Sequence, residues 1–174
     1  GVRQLEKALS RCKAMGVNGH MERFVLGKLD LRHESAAASE FAATTKDDQG
    51  FQVPRIVWPL SGRRVMTLGW AEGVPLGDNA ALDAAGHDRR ALSERVLQLF
   101  LRHALRDGYF HGDMHQGNMK VAPNGDIIAY DFGIMGYIDP YTRRVYAEIL
   151  YGFIRRDYLR VAEVHFEAGY VPPD

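Results

Sequence analysis

The sequence predicts an α+β fold in two parts, a smaller one of helices and paired strands and a larger one that is mostly helical. Three observations predict it. The first is a hairpin: Met119–Val121 and Ile127–Tyr130 are short apolar runs around the turn residues Pro123-Asn124-Gly125-Asp126. The second is helical periodicity, clearest in Arg89–Arg106, where Leu92, Val96, Leu99, Phe100 and His103 fall on one side. The third is a pair of runs rich in β-branched and aromatic residues, Val53–Trp58 and Arg64–Trp70, separated by Ser61-Gly62.

In chain order, Leu5, Leu9 and Cys12 recur at helical spacing, so Arg3–Met15 reads as a short amphipathic helix ended by Gly16 and the Asn18-Gly19 turn. A longer helix is expected over Met21–Thr44, with Phe24, Leu31, Ala38 and Phe41 on its apolar face. Lys46–Gly50 is a polar turn before the antiparallel pair, and Ala71–Pro75 leads out of that sheet. Gly77–His87 reads as loop or short helix ahead of the Arg89–Arg106 helix. After the hairpin, Pro140–Ala168 reads as two helices broken near Arg156-Asp157. The expected division is 1–70, a small part with helices and strands, and 71–174, a helical part.

Composition excludes some functions. Lys plus Arg and Asp plus Glu are 22 each, so no basic field argues for nucleic acid or anionic lipid. The single cysteine, Cys12, cannot form an internal disulfide, which fits a reducing compartment and hence a cytoplasmic expectation. No apolar run approaches the ~18–20 residues of a membrane span. The first residue is Gly rather than Met, and the chain stops at Val171-Pro172-Pro173-Asp174, so the expectation is a piece of a longer protein.

The chemistry is concentrated between Phe110 and Gly136, FHGDMHQGNMKVAPNGDIIAYDFGIMG. Asp113 is followed five residues later by Asn118, and Asp131-Phe132-Gly133 closes the hairpin. Protein kinases use the same order of parts: an Asp that accepts the hydroxyl proton, an Asn on Mg²⁺, and the Asp of a DFG on Mg²⁺. Mg²⁺ takes hard oxygen ligands in octahedral geometry and keeps several waters, so one carboxylate, one amide oxygen and nucleotide phosphates suit it. The hairpin is what would carry Asn118 to Asp131. His, Gly, Asp and Asn also favour ordinary turns; it is the whole chain of motifs in register that favours a nucleotide site.

Three stretches together resemble the UbiB/ADCK family of atypical, protein-kinase-like proteins associated with ubiquinone biosynthesis. They are LDLRHESAAASEF (Leu29–Phe41), VPRIVWPLSGRRVMTLGWAEGVPL (Val53–Leu76) and HGDMHQGNMKV…DFGIMGYID, and a final EAGYVPPD is also similar. The resemblance covers nearly the whole chain. It implies a protein-kinase-like fold made mostly of the helical C-terminal lobe, with hinge strands and a partial N-terminal lobe. Carried over residue by residue, it implies Asp113 as the catalytic Asp, Asn118 and Asp131 as metal ligands, and Glu34 as the helix glutamate that pairs with a nucleotide-contacting lysine. Leu68, Gly69, Trp70 and Ala71 would form the hinge, where backbone groups read an adenine edge. His115 stands where ordinary kinases place a lysine near the transferred phosphate, with packing as the other reading; His111 would hold the loop backbone.

The implied cofactors are ATP and Mg²⁺. The implied partners are components of an isoprenoid quinone or lipid pathway, with peripheral association at the inner face of a membrane, mitochondrial in a eukaryote. The chain also departs from the family pattern: Lys28 stands at the Glu of an E-x-D motif of which only Asp30 remains, Gly69 replaces a hinge Glu, and Gln116 replaces a loop Pro. None of Lys7, Lys13, Lys28, Lys46 or Lys120 lies in a strand before the Glu34 helix. Without that lysine and its covering loop the α and β phosphates lose their clamp, and each charge-assisted contact is worth on the order of 1.5–3 kcal/mol. The expectation is therefore an atypical kinase or ATPase portion with little turnover by itself. Two other readings use the same residues: a small-molecule phosphotransferase of the aminoglycoside or choline kinase type, and a non-catalytic pseudokinase-like module.

Overall fold

The computed structural model describes residues 30–172. The helix expected at Arg3–Met15, Cys12, Lys28 and the first part of the helix expected at Met21–Thr44 lie outside the described residues. Asp30, extended at φ −111° and ψ 93°, caps helix α1 (Leu31–Thr44) by accepting from the Arg32 N–H. A helix running unbroken from residue 21 to 44 is therefore corrected: an N-cap interrupts it at Asp30. The Arg32 guanidinium, paired with Asp30 at 2.6 Å, holds that carboxyl well below the usual carboxylate range.

The described residues form two compact units, 30–77 with 116–133, and 78–115 with 134–172. This division differs from a single cut after residue 70 because the hairpin pairs with strands of the first unit.

In the first unit a four-stranded sheet has the order β1-β5-β4-β2, with β1 (Phe51–Gln52), β2 (Val74–Pro75), β4 (Met119–Val121) and β5 (Ile127–Ala129). The β4–β5 hairpin is antiparallel in the register Met119↔Ala129, and its turn is closed by the Gly125 N–H donating to Ala122. β5 is interior to the sheet, flanked by β1 and β4, and all three of its residues are buried. β1 runs parallel to β5, and β2 is antiparallel to β4. Ala71–Pro75 therefore does not simply leave the sheet; Val74 and Pro75 form its edge, a position that tolerates proline. The expected strand pair over residues 53–70 is also reduced. Only the bridges Ile56↔Leu68 and Gly62↔Val65 remain, because Trp58–Leu60 winds into a 3₁₀ turn started by Pro59.

The helix α1 buries Ser35, Ala38 and Phe41. Its hydroxyls are satisfied inside the helix, the Ser35 Oγ donating to the Leu31 carbonyl at 2.7 Å and the Thr45 Oγ1 to that of Phe41 at 2.7 Å. The Phe41 ring meets Phe51 at 5.6 Å and Phe132 at 6.1 Å between centroids, and these rings join the apolar side chains of β4 and β5 in one core.

In the second unit, α2 (Asn79–Ala84) and α3 (Arg89–Arg102) are capped by Asp78 and Asp88. The expected helix to Arg106 stops being α-helical at Arg102 and continues as a π turn over His103–Asp107. Gly108, at φ +70°, ends it in the left-handed conformation. The ribbon β3 (Tyr109–His111) and β6 (Met135–Tyr137) follows, antiparallel with Phe110↔Gly136. The helices α4 (Pro140–Arg155) and α5 (Tyr158–Glu167) break as expected: Arg156 turns left-handed at φ 60° and Asp157 caps α5. They approach closely at Gly152, where a Cβ would stand 2.5 Å from the Val161 Cγ2. Among the described residues, no helix is long and apolar enough to cross a membrane.

Candidate functional site

Within the first unit, the hairpin register sets the backbone of the two expected metal ligands. Asn118 ends a 3₁₀ turn (Gln116–Asn118) at the entry to β4, and Asp131 follows the exit of β5. The Tyr130 N–H donates to the Asn118 carbonyl at 3.2 Å, so Asn118 is tied to the residue immediately before Asp131. The Tyr130 hydroxyl donates to the Gly117 carbonyl at 2.7 Å and fastens the same two strand ends a second time. Asn118 is buried and Asp131 is exposed. Asp131 Oδ1 accepts the Gly133 N–H at 3.0 Å, an Asx-type turn that orients its carboxylate.

Asn118 and Asp131 offer an amide oxygen and a carboxylate, hard donors that fit Mg²⁺ and leave positions for phosphate and water. Among the described residues there is no cluster of three or more His, Cys, Asp or Glu side chains that could hold a metal, so a site of the zinc type has no donor set here.

Glu34 has a partner that its sequence did not reveal. Its Oε1 accepts the backbone N–H of Phe132 at 3.3 Å, joining α1 to the residue after Asp131. A main-chain donor leaves no trace in residue type, so the sequence could not show this partner. Replacing Glu34 with alanine removes an acceptor from a part-buried amide and is expected to cost on the order of 1 kcal/mol, while Glu34→Gln keeps an oxygen there and costs less. Urea denaturation of both variants checks this; equal midpoints would remove the contact's significance. Asp30, the remaining member of the expected E-x-D motif, acts here as the cap of α1.

The hinge residues are in the same unit. The bonds flanking the Ile56↔Leu68 bridge, Val57 N–H to Thr67 and Gly69 N–H to Arg55 at 2.8 Å each, make it a non-hydrogen-bonded pair. The N–H and C=O of Leu68 thus point away from the 55–57 segment, as base reading requires, whereas the Gly69 N–H is engaged. Trp70 is 89% exposed and lies under the Lys120 ammonium at 5.3 Å. A cleft of about 360 Å³ borders the hinge at Trp70 and Ala71; Asn118, Asp131 and Glu34 are not among the residues that line it.

Within the second unit, Asp113 is half-buried. Its N–H donates to Nδ1 of the buried His111 at 3.1 Å, so that nitrogen is the acceptor and the neutral ring carries its proton on Nε2. His111 holds the loop backbone in this way, as expected for it. The His115 N–H donates to the Asp113 carbonyl at 2.9 Å, and the His115 ring lies 3.6 Å from the Asp113 carboxylate. That places His115 as an exposed cation, when protonated, beside the expected catalytic Asp. Asp113 and His115 are described in the second unit, and Glu34, Leu68, Trp70, Asn118 and Asp131 in the first.

Comparison with known proteins gives a consistent result. The profile of the ABC1 atypical kinase-like domain matches residues 2–165. A probable protein kinase UbiB of Xylella fastidiosa (strain M23) is 37% identical over 159 residues, 88% of this chain and 29% of its own length. One of Cronobacter sakazakii is 36% identical over 168 residues, 94% of this chain and 31% of its own. The chain thus spans about a third or less of the curated relatives it matches. Among solved structures, Rv3197 of Mycobacterium tuberculosis, determined in complex with erythromycin, superposes with a TM-score of 0.70 at 27% identity over 88% of this chain and 38% of its own.

Proposed function

Because the chain belongs to the ABC1 atypical kinase-like family, we propose that it supplies the metal-holding and base-reading part of a Mg-ATP-dependent phosphoryl-transfer or ATP-hydrolysing site in a longer UbiB-like protein. The observation that carries this reading is the doubly fastened hairpin mouth, which ties Asn118 to the residue before Asp131. Asn118 and Asp131 would hold Mg²⁺, which neutralises charge on the phosphates when bound. Asp113 would orient the attacking hydroxyl or water and accept its proton. Glu34 would hold the Asp131-Phe132-Gly133 turn through the Phe132 amide, and Leu68 would offer backbone groups to the base.

The protein's share of such a reaction is positioning and charge stabilisation, so each of these groups acts without forming a covalent bond. The UbiB name supports isoprenoid quinone metabolism as the setting, to which this proposal adds peripheral contact with a membrane.

A thermal-shift titration of the full-length protein tests the reading. ATP with Mg²⁺ is expected to raise the melting temperature with the logarithm of ligand concentration above Kd, and ATP with EDTA to raise it less. No Mg²⁺-dependent shift would sink the proposal. Coupled turnover of choline or an aminoglycoside would replace it with a small-molecule phosphotransferase.

A further inference from the structure

The middle residue of β4 is a lysine where both neighbours, Met119 and Val121, are buried. Alternation puts Lys120 on the opposite face of the strand. There its ammonium donates to the Ala71 carbonyl at 3.2 Å. It also stands 5.3 Å from the Trp70 ring centroid and 6.0 Å from that of Tyr130, within cation–π range of both. Tyr130 is held by its two bonds to Gly117 and Asn118. Trp70 is nearly fully exposed, so burial does little to hold its ring, and the lysine is its recorded ring partner. All of these residues lie in the first unit.

We propose that Lys120 is a specificity-determining residue that changes which purine the hinge accepts. This rests on the nucleotide reading above. The amino group at position 6 of adenine is a donor and needs an acceptor, whereas a 6-oxo purine presents an acceptor at the same place. A bare hinge carbonyl at Ala71 would suit adenine. Here that carbonyl already accepts from an ammonium, which has three N–H donors and no acceptor. The carbonyl keeps a second lone pair, but the edge beside Trp70 now presents cationic N–H donors next to it. An adenine 6-amino group must share that carbonyl with a cationic donor that repels it, while a 6-oxo group receives a charge-assisted bond from the ammonium. The aromatic faces of Trp70 and Tyr130 keep the ammonium at this edge.

The probes are ATP and ITP with Mg²⁺, which differ at position 6 and in the proton on N1 that accompanies the oxo group. Their affinities are measured by calorimetry on the full-length protein, on Lys120→Met and on Lys120→Arg. Methionine keeps an unbranched stem without the charge, and arginine keeps charge and donors. Moving from the parent protein to Lys120→Met, the affinity ratio of ATP to ITP is expected to rise roughly tenfold, the equivalent of one charge-assisted hydrogen bond. Lys120→Arg should stay near the parent ratio. An unchanged ratio in Lys120→Met, with both nucleotides still binding, overturns the inference and leaves the nucleotide site intact. Loss of both nucleotides in Lys120→Met alone also overturns it, since it makes the lysine a general binding group. Failure of all three proteins to bind either nucleotide overturns the inference together with the reading it rests on.

Discussion

Asp131→Asn is expected to lower Mg²⁺-dependent ATP turnover of the full-length protein by roughly 10²–10³-fold, the loss typical of removing one preorganised charge-stabilising group. The substitution isolates charge from structure. Asp131 Oδ1 accepts the Gly133 N–H at 3.0 Å, and the amide oxygen of asparagine can accept the same bond, so the turn survives. What is lost is the negative, hard oxygen that the proposed site would offer to Mg²⁺. Asp113→Asn serves as the contrast: it should lower kcat while leaving Mg-ATP affinity nearly unchanged, because its proposed role is with the attacking group. Steady-state ATPase rates and nucleotide titrations separate the two. Turnover within a few-fold of the parent in Asp131→Asn, with the protein folded by circular dichroism, would remove Asp131 from the metal site.

The second large effect is on stability. Phe132 lies inside the Asp131–Gly133 turn but is 1% exposed, with its ring 6.1 Å from that of the fully buried Phe41. Phe132→Ala is expected to cost about 3–5 kcal/mol, from lost transfer free energy and the cavity left behind. Phe41→Ala should cost a similar amount, and the double variant less than their sum, because the two rings share one cavity. Urea denaturation without any ligand measures all three. Strict additivity would mean that the two rings do not share a cavity, and a loss below about 1 kcal/mol for Phe132→Ala would remove its ring from the stabilising core. The prediction matters because Glu34 is bonded to the amide of this same residue. Packing of the ring and alignment of Asp131 are then one structural event.

The hairpin was legible because its turn residues and its flanking apolar runs each act locally. Pro123-Asn124-Gly125-Asp126 closes through an Ala122 to Gly125 bond that needs no distant residue. The break between α4 and α5 was legible for the same reason: Asp157 caps a helix wherever it sits. The strands β1, β3 and β6 were not. Each is two or three residues long, too short to carry a period, and Phe51-Gln52 is a strand only because Ile127 and Ile128 lie beside it. The π turn at His103–Asp107 was hidden likewise, since its apolar spacing continues that of the helix before it.

The candidate residues for the proposed chemistry, and the order in which they come, are a property of the sequence: Asp113, Asn118 and Asp131 could be named from type and spacing, because the oxygen chemistry of a phosphate-bound cation calls for those types. The tertiary structure alone decided what those residues lean on. The Glu34 contact to a main-chain amide, the docking of Phe132 on Phe41, and the Lys120 bond to Ala71 join residues 98, 91 and 49 positions apart. Such contacts exist only once loop-closure entropy has been offset by burial of the whole core, and no local propensity encodes them.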